Sequence, residues 1–206
     1  SFIKAMITCL KIPTLRWSAF GYAMNLIIMT SFMVWTPAYL MRVQGIPVSK
    51  AGMIVGSLGL LGILGAPLGG FLADMWQKRS ERGRPYTALC AIIPTTIAYF
   101  LTIYFDFKGI GMVFAVIMGV FIAMGTASIN SISQDVVHPG LKGASWGIVG
   151  FFTMFAASLA PSMIGGLSDY LGGNTGSLKT AMMTMSIFGV IGTCLYILAA
   201  KNYVAD

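Results

Sequence analysis

Apolar residues in this chain fall in long unbroken stretches, not at every second position or on one helical face. Six charge-free runs cover 17–41, 51–73, 85–105, 109–134, 143–168 and 180–200. They hold 25, 23, 21, 26, 26 and 21 residues. A helix rises about 1.5 Å per residue and the hydrocarbon core of a bilayer is about 30 Å thick, so roughly 20 apolar residues cross it. Every run meets that length. The pattern predicts six transmembrane helices, spans A to F, in one all-α membrane domain over 1–206. The first run is too long for a cleaved signal peptide, and no small-residue cleavage site ends it.

Composition sharpens the picture. The chain of 206 residues is 57% hydrophobic and 9% charged, where soluble domains carry about 25% charged residues. Its basic residues are unevenly placed. The N-terminal segment and the B–C, D–E and C-terminal segments carry 3, 4, 1 and 1, against 2, 1 and 1 for A–B, C–D and E–F. The positive-inside rule places both termini in the cytoplasm. The net charge of +7 is then explained by basic loops beside anionic lipid headgroups, and no nucleic-acid partner is expected.

One stretch poses a choice. "GSLGLLGILGAPLGGFLADMWQKR", Gly56 to Arg79, is rich in glycine and ends in an acid and a basic cluster. A phosphate-binding P-loop ends in Gly-Lys-Ser/Thr on a strand-to-helix turn. Here Gly69-Gly70 runs into Phe71-Leu72 inside an apolar span. Small residues three or four apart instead give a helix face that a neighbouring helix can approach closely in lipid. Pro67 predicts a kink near the span's end.

Catalytic and metal signatures are not found. Cys9, Cys90 and Cys194 are widely separated and read as small apolar fillers. His138, alone and before Pro139, reads as a solvated loop residue. No HExxH, no GxSxG and no acid cluster occurs. Neither enzyme activity, cofactor nor metal is expected.

The chain also repeats itself. "APLGGFLAD" (Ala66–Asp74) ends span B and "APSMIGGLSD" (Ala160–Asp169) ends span E. Spans three apart cross the bilayer in opposite directions, so the pattern predicts two inverted three-helix repeats, A–C and D–F.

At this point the residues resemble a known family. Gly70-Phe-Leu72-Ala73-Asp74 followed by Lys78-Arg79 resembles the cytoplasmic loop motif of the major facilitator superfamily, Gly-x-Leu-Ala-Asp-Arg-x-Gly-Arg-Arg. That motif joins the second and third helices of each half, as here. Met75 and Gln77 depart from the pattern, standing where Arg and Gly are usual. "QDVVHPGLKGASWG" (Gln134–Gly147) is similar to a pattern between the fourth and fifth helices, with Lys142 where Arg is usual. A full member has about twelve helices, so the resemblance covers one half, and the weaker copy of the motif implies the C-terminal half, helices seven to twelve. With "VWTPAYLMR" (Val34–Arg42), these pieces are similar to spinster-like transporters, whose animal members move lysolipids and sphingoid phosphates.

The resemblance turns the first, second, fourth and fifth helices of a half toward a cavity and the third and sixth toward lipid. Candidate cavity residues are Tyr22 and Asn25 on span A and Thr126, Asn130 and Gln134 on span D, the last three at steps of four. Helix-to-helix hydrogen bonding by Asn25 and Asn130 is the alternative. Trp35 and Tyr39 are placed as interface anchors, with a binding role second. Thr95 and Thr96 are expected to satisfy carbonyls freed by Pro94. Gly70, Asp74, Lys78 and Arg79 form the gating motif. Asp74 is expected to seek Lys78, Arg79 or the N-terminus of span E. No span carries a mid-membrane acid or base, which puts any ion-coupling group in the missing half.

The function implied is half of a secondary active transporter, carrying an organic solute or amphiphile (lipid-like or an organic anion) by alternating access. Its partners would be the bilayer, a small-molecule substrate, and an N-terminal six-helix half or a second copy. The location implied is the bacterial inner membrane. The competing class is a non-transporting six-helix subunit packed against other membrane subunits.

Overall fold

The computed structural model describes residues 2–205. Ser1 and Asp206, the two ends of the expected domain, lie outside the described residues. Nine α-helices are described: α1 (Phe2–Lys11), α2 (Pro13–Gln44), α3 (Val48–Leu60), α4 (Gly62–Gln77), α5 (Gly83–Tyr104), α6 (Ile110–Asp135), α7 (Lys142–Tyr170), α8 (Thr175–Thr184) and α9 (Ser186–Asn202). A single 3-10 turn, Pro139–Leu141, precedes α7. Span A is α2, C is α5, D is α6 and E is α7. Span B is α3 and α4, broken at Leu61, and span F is α8 and α9, broken at Met185. Six segments are long and apolar enough to cross a membrane. Spans A, B, E and F extend a few residues beyond both ends of their charge-free runs, because helix ends in the headgroup layer tolerate polar side chains, while C and D match theirs to within two residues.

Local chemistry sets the ends. Pro13 opens α2, where a missing N–H costs nothing. Gly45, at φ 66°, closes it. The N–H groups of Gly45 and Ile46 return to the carbonyls of Met41 and Leu40 at 3.2 Å, the paired bonds of a Schellman cap. Pro37, Pro67, Pro94 and Pro161 sit inside helices. Next to Pro94, Thr95 and Thr96 donate to the carbonyls of Ala91 and Ile92 at 2.8 and 2.9 Å. Those acceptors follow Cys90, whose carbonyl the proline deprives of its donor. α1 is an addition to the six spans. It is too short to cross, and it packs through buried Cys9 onto Val137, Ala144 and Ile148.

The packing obeys the inverted repeat. Exchanging A with D, B with E and C with F turns every principal contact into another that is present. A packs on E as D packs on B. A packs on F as D packs on C. B packs on C as E packs on F, and C against F maps onto itself. Successive spans are antiparallel, so the axis relating A–C to D–F lies in the membrane plane. The fold is an all-α six-helix bundle of two inverted three-helix repeats.

Span B shows how glycine makes this packing possible. A Cβ at Gly65 would overlap the Val120 carbonyl oxygen, and one at Gly69 the Met124 carbonyl oxygen. Across the seam, a Cβ at Gly119 would stand 2.8 Å from the Leu58 carbonyl oxygen. Gly52, Gly56, Gly59 and Gly70 face open space instead. The glycine run thus serves two faces: one seals α4 onto α6 at backbone distance, and the other is left flat.

Candidate functional site

Two features stand out on the side of the bundle formed by A, B and D. The first is an apolar groove of about 220 Å³ between α2, the α3–α4 break and α6. Its walls include Met29, Phe32 and Met33 of α2, Gly59 and Gly62 at the break, and Met118 and Ile122 of α6. The groove exists because Gly59 and Gly62 carry no side chain to fill it. Its one hydroxyl is Thr126, which donates to the Ile122 carbonyl at 3.2 Å.

The candidate cavity residues separate around this groove. Thr126 lines it, and Asn130 and Gln134, both half-buried, continue the same helical face of α6 by one and two turns. Tyr22 is half-buried and reaches Thr126 from α2. Asn25 lies one turn from Tyr22 and from Met29 on α2 but does not line the groove. It is 7% exposed and lies in the α2–α9 seam, where a Cβ at Gly192 would be 3.1 Å from the Gly21 carbonyl and 3.8 Å from the Asn25 nitrogen. Its amide nitrogen is buried without a hydrogen-bond partner. The structure therefore joins Tyr22, Thr126, Asn130 and Gln134 along one seam and sets Asn25 apart.

The second feature is a charge cluster at the end of the bundle where B meets C. Arg84, in the first turn of α5, pairs with Asp135 at the end of α6. Tyr203, just beyond α9, donates to the same Asp135 oxygen, Oδ2, at 2.7 Å. Burial and the Asp135 carboxylate raise the Tyr203 phenol above its ordinary value. Arg84 also reaches Asp74, Nη2 to Oδ1 at 3.8 Å, although the Asp74 side chain is 70% exposed. Gly70 lies one turn before Asp74 with nothing near it, and the exposed Lys78 and Arg79 follow on the turn beyond.

This corrects the expected partner of Asp74. Its ion pair runs to Arg84, ten positions along the chain. α4 packs on α5 and α6, whereas α7 packs on α2 across the bundle. That separation keeps the N-terminus of span E away from the motif. The sequence did carry a signal for the partners: Arg84 and Asp135 each border a charge-free run at the same membrane face.

Other polar residues serve the framework. Trp35 donates its indole N–H to the Pro161 carbonyl at 3.1 Å, tying span A to span E. Tyr39 is fully buried and bonds to Asp106, so it is not an interface anchor. The His138 ring nitrogen accepts the Gly140 N–H at 3.3 Å and caps the 3-10 turn. Ser145 of α7 donates to the Ser133 carbonyl of α6 at 2.5 Å. Among the described residues, no three His, Cys, Asp or Glu side chains gather as a metal would require.

A six-helix membrane bundle built from two inverted three-helix repeats defines the class of fold. Comparison with known proteins makes the family specific. The model of the Major Facilitator Superfamily matches residues 2–161, and the chain belongs to that superfamily. It is 26% identical to a hexuronate transporter of Bacillus subtilis over 179 residues, 84% of this chain and 42% of that protein. It is 26% identical over 200 residues to an MFS-type efflux pump of Mycolicibacterium smegmatis, 92% of this chain and 43% of that one. The fold matches a bacterial homolog of the human lysosomal transporter Spinster, in an inward-facing and unoccupied conformation. The TM-score is 0.85 at 19% identity, covering 100% of this chain and 51% of that one. The chain thus spans about half the length of the relatives it matches.

Proposed function

We propose that this chain forms one half of a secondary active transporter that carries an organic solute or amphiphile by alternating access. The observation that carries the reading is the groove at the α3–α4 break. It is an apolar recess on the face of A, B and D, opened by glycines where span B tightens for one residue at Leu61, which keeps helical dihedrals. Carriers built from inverted repeats hold substrate near the bilayer midplane between such units. The matched relatives, about twice as long, leave room for a second six-helix half across the recess. The partner is that half or a second copy of this one. The protein sits as a multi-pass unit in a bacterial inner membrane with both termini in the cytoplasm.

The lining assigns this half a role in recognition. Methionine, phenylalanine and glycine walls with one hydroxyl suit the hydrocarbon part of a substrate. Contacts to a charged or strongly polar head come from the seam of Tyr22, Asn130 and Gln134 and from the opposite half. Gly70, Asp74, Lys78 and Arg79 serve as the gating motif, acting through Arg84.

Gly59→Phe tests the reading in the full-length protein reconstituted into liposomes. A Cβ at Gly59 meets nothing within 4 Å, so the ring enters the groove without straining the bundle. Uptake of a lysolipid-like amphiphile and of a hexuronate is compared with the parent protein. Loss of uptake of at least one class by about tenfold or more, at an unchanged melting temperature, is the expected result. Full transport of every substrate the parent carries would remove the groove from the pathway.

A further inference from the structure

We infer that the outer end of the bundle carries a second clamp, the inverted-repeat counterpart of the Arg84 cluster, and that the two clamps hold spans C and F onto A, B and D. Lys179, in the first half of α8, donates to Asp106 Oδ1 at 2.7 Å and to the Tyr104 carbonyl at 3.0 Å. The Tyr39 hydroxyl donates to the same Oδ1. Gln44, at the end of α2, donates to the Asp106 backbone carbonyl. These contacts bind the ends of spans A, C and F at the face opposite Arg84.

The correspondence runs span end by span end. Exchange of C with F carries Arg84, near the start of C, onto Lys179, near the start of F. Exchange of D with A carries Asp135, ending D, onto Tyr39, near the end of A. Exchange of F with C carries Tyr203, just after F, onto Asp106, just after C. The cation keeps its place while carboxylate and phenol trade theirs. In both clusters one carboxylate oxygen takes both partners: Asp135 Oδ2 takes Arg84 and Tyr203, and Asp106 Oδ1 takes Lys179 and Tyr39. The same chemistry appears at both faces from different residues, as packing symmetry with divergent sequence produces.

The outer cluster also holds an unusual turn. Asp106 and Phe107 have φ of 53° and 58°, left-handed values that non-glycine residues seldom adopt. Such a conformation persists where its surroundings over-determine it. Here Gln44, Tyr39 and Lys179 fix Asp106, and the Phe107 ring stacks on Phe32 with centroids 5.8 Å apart.

Helices in lipid have little hydrophobic drive to stay in register, and polar contacts at their ends supply it. Spans C and F are clamped at both faces, each time to a helix of the A, B, D face. Leu178, Ala181 and Met182 bury one face of α8 in the core, and the outer clamp fastens its starting end as well. That the bundle rocks rests on the transport reading, but the clamps themselves can be tested without transport.

The test is amide hydrogen exchange with thermal unfolding on the full-length protein in nanodiscs. Lys179→Met is expected to speed exchange in 105–109 and in α8 roughly tenfold, the scale of one charge-assisted bond at a partly exposed site. The α9 end near Tyr203 should keep its protection, and Lys179→Arg should stay near the parent. Tyr39→Phe, which removes only the phenol's bond, gives the same local pattern on a smaller scale if Lys179→Met does not fold. A second measurement addresses equivalence. Asp135→Tyr lowers the melting temperature, and adding Tyr203→Asp rebuilds the outer arrangement at the inner face and restores at least half of the loss. Faster exchange at both ends alike, no change at either end, or no rescue by the double exchange would each overturn the proposal.

Discussion

Gly65→Ala offers a sharp test of the packing. The new Cβ would overlap the Val120 carbonyl oxygen, and Ala123 stands 3.0 Å away on the same side. The obstacle is backbone, so no rotamer change relieves it, and α4 must move off α6. Overpacking against fixed backbone costs about 2–3 kcal/mol, the upper part of the usual range. Alanine returns up to about 1 kcal/mol of helix preference, leaving a net loss of roughly 1–2 kcal/mol. For a domain of this size each kcal/mol shifts melting by about 2–4 °C, so the variant should melt roughly 2–8 °C lower. Gly56→Ala, in the same glycine run, meets nothing within 4 Å and should melt at or slightly above the parent temperature. Thermal unfolding of both variants in one detergent, followed by tryptophan fluorescence, makes the comparison. A Gly65→Ala protein as stable as the parent, or a Gly56→Ala protein equally weakened, would refute the assignment of two glycine faces.

Asp106 should show its charge in acid. Burial opposes ionisation of its carboxylate, but the bonds from Lys179 and Tyr39 and the charges of Lys179 and Lys108 outweigh that and lower its pKa. A lowered folded pKa contributes stability above the unfolded value, about 3.9, and that contribution fades as pH falls through the folded pKa. Asp106→Asn should therefore be less stable than the parent at pH 7, with the gap closing below about pH 4; a gap independent of pH would contradict the assignment. Trp35→Phe keeps an aromatic ring but loses the bond to Pro161 and part of the indole's packing, which should cost at least about 0.5–1.5 kcal/mol; equal melting temperatures would remove that bond from the framework. Cysteines placed at Ser80 and at Val43 in the full-length protein should label from opposite sides of the membrane, Ser80 from the cytoplasm, and labelling of Ser80→Cys from outside intact cells would reverse the proposed orientation. Asp74→Asn should leave binding intact and shift the balance of inward-open and outward-open forms, read by label distances between spans B and D and the opposite half; lost binding with an unshifted balance would place Asp74 in the substrate site.

Six crossings could be read from the chain alone, because transfer of a segment into lipid is a sum over neighbouring residues. The charge-free runs carry that sum. The paired Ala-Pro and Gly-Gly endings of spans B and E carried the inverted repeat, and the glycine run carried close helix contact. The sequence did not carry the pairing of the charges that border the runs. Arg84 and Asp135 are 51 positions apart, Tyr203 and Asp135 are 68 apart, and Lys179 and Asp106 are 73 apart. Such pairs are chosen by which helix ends meet across the bundle, which no local pattern encodes. The same reason left Asn25 buried beside the α2–α9 seam while Thr126 came to line the groove. It also split span B into two glycine faces. Hydrophobicity commits a helix to the membrane, and only its neighbours decide which way each face of it turns.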